Sequence, residues 1–176
     1  MADDKSFDLA ISVDSTLLVD EFFHISTPTQ SNLQTSISVT SPNRQFEIDR
    51  ENSRLRLRAI VGVRFLMFDG AAPAEITQDD IDRAVISYGC AVETTVSSAF
   101  MSDAIPQGKH AQWTGEDIES ARDKQMEHNM LLEAVRLVYG MASARMLQST
   151  AICPFGAVSL PLADYDALLK DIEEQN

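Results

Sequence analysis

The side chains in this chain that could do chemistry are three histidines, two cysteines and a few adjacent carboxylates. A zinc site would need His or Cys residues at short spacing, so that one turn or hairpin offers two ligands. His24, His110 and His128 are scattered, and none stands at ligand spacing from a second His or a Cys. A reactive cysteine needs a positive neighbourhood that holds its thiolate. Cys90 falls instead in the middle of a strand pattern, on its apolar face, and Cys153 also keeps apolar company. Both read as buried free thiols. Asp20-Glu21 and Glu116-Asp117 read as solvated faces or helix caps and not as acid/base dyads. The seven glycines are spread singly, so no phosphate-cradling loop is legible. No Gly-x-Ser-x-Gly elbow occurs either. These residues predict a protein that is not an enzyme, with no metal and no cofactor.

The bulk properties narrow the class further. At 176 residues and 44% hydrophobic, the chain is expected to form one domain, with a core that needs neither disulfide nor metal. Its formal net charge of −13 disfavours nucleic acid as a partner, because little here would displace counterions from phosphates. The same charge disfavours anionic membrane surfaces. Met1-Ala2-Asp3-Asp4-Lys5 has neither the basic nor the apolar part of a signal peptide, and no apolar run is long enough to span a bilayer. The expected location is the cytoplasm, where Cys90 and Cys153 stay reduced.

The elements follow from periodicity. Residues 1–33 read as an acidic N-terminal arm of unassigned structure, although Phe7, Leu9, Ile11 and Val13 alternate as a strand would. Leu17-Leu18-Val19 and Phe22-Phe23 follow without a clear period. Gln34 to Val39 alternates as a short strand, and Ser41-Pro42-Asn43 reads as a turn. Arg54 to Phe68 is the clearest strand, with Leu55, Leu57, Ala59, Val61, Val63, Phe65 and Met67 on one face. Arg54, Arg56, Arg58 and Arg64 lie on the other. A second long strand near 85–101 places Ile86, Tyr88, Cys90, Val92, Val96 and Phe100 together. The connection between these strands lacks a crossover-length apolar helix, which predicts antiparallel pairing. One sheet face should be dry and the other wet.

Thr114 can cap a helix starting near Gly115, with Glu116 and Asp117 in the first turn facing the positive end of the helix dipole. From His128 to Gln148 the helix is apolar almost all round. Glu133, Arg136, Gly140 and Ser143 form one narrow polar strip. A helix this apolar needs cover on two sides. The sheet is expected to supply one and a second copy of the chain the other.

Asn129-Met130-Leu131-Leu132-Glu133-Ala134-Val135-Arg136, continuing to Ser143-Ala144-Arg145, resembles the long helix of the SecB export chaperones. After Pro154, the run Val158-Ser159-Leu160-Pro161-Leu162-Ala163-Asp164-Tyr165-Asp166-Ala167-Leu168-Leu169 is similar to their hook and closing helix. The resemblance extends over roughly residues 34–172, most specifically in the last forty, and residues 34–176 are taken as the SecB-like domain. It implies an α+β fold: a four-stranded antiparallel sheet covered by a long helix, assembled as a dimer of dimers. It also implies an ATP-independent holdase that grips unfolded polypeptides in apolar grooves for export.

On that reading the polypeptide-binding candidates are Phe22, Phe23, Leu66, Phe68, Trp113, Phe155 and Leu162. The oligomer contacts would fall on Leu137, Gly140, Met141 and Ala144, with Gly140 placed where two helices cross closely. The sequence also departs from the family. Ala91 stands where the family carries an acidic residue for the SecA motor, and Arg56, Arg58 and Arg64 lie on the neighbouring strand. Like charge there opposes docking of a basic partner. The alternative is therefore an adaptor or antitoxin-type chaperone on the same fold, serving one protein partner without SecA.

Overall fold

A computed structural model of the chain describes residues 11–27, 32–49, 51, 54–73, 76–99, 115–153 and 156–174, with backbone alone for 115–122 and 173–174. The elements are β1 (Ile11–Ile25), β2 (Leu33–Asp49), β3 (Arg54–Asp69), α1 (Gln78–Arg83), β4 (Ile86–Ala99), α2 (Gly115–Thr150) and α3 (Tyr165–Glu174). The four strands form one antiparallel sheet in the order β1-β4-β3-β2. This is the expected α+β architecture of a four-stranded sheet with a long helix. Among the described residues, no helix is long and apolar enough to cross a membrane.

β3 and β4 pair antiparallel from Arg54↔Ala99 to Met67↔Ile86 without interruption, as their unbroken period of two predicts. Leu55, Leu57, Val61, Phe65, Ile86, Tyr88, Val92 and Val96 are all buried under the helices. α2 crosses this inner face with Met126, Met130, Leu131, Ala134, Val135, Val138, Ala142 and Met146 buried. α3 adds Leu169 and Ile172 beside β2.

The two outer strands differ from expectation. Residues 11–25, expected within an acidic arm, are strand β1, hydrogen-bonded along β4. Its register shifts between Val13 and Ser15 and again between Leu18 and Asp20. Each shift inserts one unpaired residue, Asp14 or Val19, and so reverses which side chains face the helices. Ile11 and Val13 face inward, then Thr16 and Leu18, then Glu21, Phe23 and Ile25, each opposite an inward residue of β4. β2 behaves in the same way. The expected turn at Ser41-Pro42-Asn43 is a bulge between Thr40 and Asn43 within one continuous strand. Beyond it the inward residues change from Ile37 and Val39 to Phe46 and Ile48. Pro42, lacking an N–H, is tolerated at a bulge on a sheet edge.

The acidic stretch between β3 and β4 contains an unexpected helix, α1. Thr77 caps it, accepting from the Asp80 backbone N–H while the Asp80 carboxylate accepts from the Thr77 N–H. α1 and its flanks lie on the outer face of the sheet. There Leu66, Phe68 and Ala84 form a second small buried cluster, with Ala72 and Ile81 packed against it.

Candidate polypeptide-binding surface

α2 and its hook define the helix side of the molecule. Two hydrogen-bonded clamps fix the hook, residues 151–164. The Thr150 hydroxyl, fully buried, donates to the Met146 carbonyl at 2.9 Å and accepts from the Val158 N–H at 2.7 Å. The Tyr139 hydroxyl donates to the Pro161 carbonyl at 2.9 Å. Tyr139 and Tyr165 meet edge to face with ring centroids 5.7 Å apart, and the Arg136 guanidinium lies over the Tyr165 ring. Ile152, in the loop closed by the first clamp, is 94% exposed, and Leu162, just after the second, is fully exposed.

The hook and α3 cover one flank of α2, a share of the cover expected from a second copy. The other flank stays open in the single chain. Leu137 and Met141 are half-buried there, Ala144 is exposed, and an added Cβ at Gly140 would meet nothing within 4 Å. These four lie at spacings of three and four, on one helix face. Leu147, 45% exposed, extends the strip.

β1 forms a second apolar margin. Val13, Leu17 and Val19 are each more than half exposed along this sheet edge. Glu21, aimed inward by the second bulge, ties the strand to α2. Arg145 donates Nε–H and an Nη2 hydrogen to the two oxygens of Glu21, both at 2.6 Å. The Tyr88 hydroxyl adds a longer bond at 3.3 Å. The hydrogen bonds from Arg145 hold the Glu21 carboxyl below its ordinary value, against the opposing effect of burial. Tyr88 and Cys90, on the same inner face, are pushed upward chiefly by desolvation. A thiol so shifted is an inert one. No group of three His, Cys, Asp or Glu side chains that could hold a metal occurs among the described residues.

The binding residues expected from sequence do not form one surface. Phe22 and Phe23 are adjacent in a strand and so point to opposite faces. Phe22 is 38% exposed on the outer face, where its ring lies over Gly89, whereas Phe23 packs half-buried against the inner core. Leu66 and Phe68 were expected to be open but are 2% and 6% exposed beneath α1, so in this chain they are core. Trp113 and Phe155 lie outside the described residues. Leu162 stands fully exposed on the hook. Sequence reasoning missed Val13, Leu17, Val19 and Ile152. The strand residues carry the apolar signal, but the bulges hide their phase.

No family model and no curated protein matches the chain. Among solved structures, the chain is similar to the SecB-like chaperone Rv1957 of Mycobacterium tuberculosis, solved in complex with a ChAD peptide from the Rv1956 HigA1 antitoxin. That match has 8% identity and a TM-score of 0.49, and covers 88% of this chain and 91% of the other. A protein of unknown function from Streptococcus agalactiae is also similar, at 9% identity and a TM-score of 0.38 over 88% of this chain and 99% of that one.

Proposed function

We propose that this protein is an ATP-independent chaperone that holds non-native polypeptide on the apolar margins of its helix side, as a homo-oligomer in the cytoplasm. The observation that carries the reading is the clamped hook. Ile152 and Leu162 project into solvent from a loop fixed at Thr150 and Tyr139. Hiding such a side chain is worth about 1.5–3 kcal/mol, so a segment with no other task would fold over them. Val13, Leu17 and Val19 are exposed along the β1 edge of the described sheet, Val13 on the helix side and Leu17 on the opposite face, and along that edge an extended client can add main-chain hydrogen bonds whatever its sequence.

A second copy of the chain is the occupant proposed for the open face of α2, through Leu137, Gly140, Met141 and Ala144. A dimer of dimers follows if the sheet edge also engages. The test is suppression of aggregation of an unrelated, chemically unfolded client without nucleotide. Stoichiometric protein should keep the client soluble; undiminished aggregation at several-fold excess refutes the reading.

One observation favours the alternative, a chaperone dedicated to one partner and not coupled to SecA. α1 covers Leu66 and Phe68, which leaves the outer sheet face with less apolar surface for general capture. Arg58 on that face already engages Glu93 at 2.8 Å. Affinity purification from native extract separates the readings: many clients support the general holdase, a single stoichiometric protein the dedicated one.

A further inference from the structure

The outer face of the sheet carries a cleft that the chaperone reading does not use. It lies between β1, β3, β4 and α1, is open to solvent with a volume of about 490 Å³, and is lined by residues that include Phe22, His24, Arg64, Ile81, Asp82 and Ser87. A smaller trough of about 220 Å³ shares Phe22 and Arg64 with it and runs over Gly62 and Gly89. The Phe22 ring sits so close over Gly89 that an added Cβ would lie 2.3 Å from it. The ring therefore forms a wall between the two depressions.

Two exposed charges and one buried hydroxyl of the cleft lack a close protein partner among the described residues. The neighbouring arginines of β3 find carboxylates: Arg54 pairs with Asp14 at 3.6 Å and Arg58 with Glu93 at 2.8 Å. Arg64 has no carboxylate partner among the described residues, and it is exposed to the cleft. Ser87 is 1% exposed, and its hydroxyl has no hydrogen-bond partner among the described residues. A buried hydroxyl in that condition is costly, so a native one that lines a cavity points to a ligand atom. Asp82, across the cleft on α1, accepts only a long bond of 3.5 Å from Gln78 and pairs with no cation among the described residues. Arg64 and Asp82 thus line one cavity with opposite charges and do not pair with each other.

We infer that this cleft binds a small zwitterion of the α-amino-acid class with an apolar side chain. Its carboxylate meets the Arg64 guanidinium and the Ser87 hydroxyl, its ammonium faces Asp82, and its side chain packs on Phe22 and Ile81. The volume falls within the range of small-molecule sites. A multiply charged anion is disfavoured, because Asp82 and Asp20 border the same surface on a chain of net charge −13. The proposal is independent of chaperone activity, since the cleft is on the sheet face opposite α2 and the hook.

The test uses the full chain and three probes: L-phenylalanine, phenylacetate (no ammonium) and phenethylamine (no carboxylate). Calorimetry and saturation-transfer NMR should show saturable phenylalanine binding, about tenfold tighter than either half-probe. Arg64→Gln and Asp82→Asn, both at exposed positions, should each weaken phenylalanine by about tenfold with an unchanged melting temperature. Three results would overturn the inference: no saturation by about 10 mM phenylalanine, equal binding of phenylacetate, or undiminished binding to Arg64→Gln.

Discussion

Replacing Arg145 by alanine removes both N–H groups that hold Glu21, and with them the polar link between β1 and the long helix. The side chains are 42% and 25% exposed, so the pair lies between two regimes. Exposed ion pairs contribute roughly 0–1 kcal/mol, whereas breaking a buried one costs about 3–5. Solvent screens this pair in part, yet Glu21 would be left with one long bond from a buried tyrosine. A loss of about 1.5 kcal/mol at neutral pH is expected, or roughly 3–6 °C in melting temperature for a chain of this size.

The pH dependence fixes the cause. The folded carboxyl of Glu21 lies below its ordinary 4.5, and Arg145 keeps its charge throughout. The contribution of a depressed carboxyl is complete above its unfolded value and is lost as pH falls through its folded value. The gap between the two proteins should therefore be constant from neutral pH to about 5 and close below that. Urea denaturation at fixed protein concentration measures it, because assembly would add a mass-action term. Hydrogen exchange should show β1 amides losing more protection than those of β3. A loss below about 0.5 kcal/mol, or a gap that persists in acid, would refute the assigned role of the pair.

Three further outcomes follow from the same surfaces. Met141→Glu should lower the solution mass seen by light scattering, because an interface there would bury an unpaired carboxylate at a cost of several kcal/mol; an unchanged mass removes Met141 from the interface. Ile152→Ser with Leu162→Ser should weaken client capture severalfold while stability stays within about 0.5 kcal/mol, since both side chains are exposed; full capture by that variant moves the client elsewhere. Thr150→Val should cost about 1–3 kcal/mol by leaving the Val158 N–H without its acceptor, and proteolysis should then cut the hook faster; an equally resistant hook means that the clamp does not hold it.

The central elements were legible because their signals are local. β3 and β4 keep one period over their whole length, so their buried faces and antiparallel pairing could be read directly from Leu55 to Phe65 and from Ile86 to Val96. α2 was legible from its apolar run. α1 was missed because six residues carry too little periodicity, although Thr77 and Asp80 hold the spacing of a capping box. Reading that box would have predicted α1, whereas its packing over Leu66 and Phe68 is a tertiary contact.

From residue type and short-range period came the two central strands, the apolar long helix and the poverty of catalytic groups, while the four-stranded α+β plan came from the resemblance of the long helix and hook to the SecB chaperones. Tertiary structure alone decided the membership of β1, the facing of Glu21 toward Arg145, the separation of Phe22 from Phe23's side of the sheet, and the cleft around Arg64. These depend on bulges and on contacts between distant segments. A bulge reverses every later side chain, and its position is defined only by the partner strand that it is paired against.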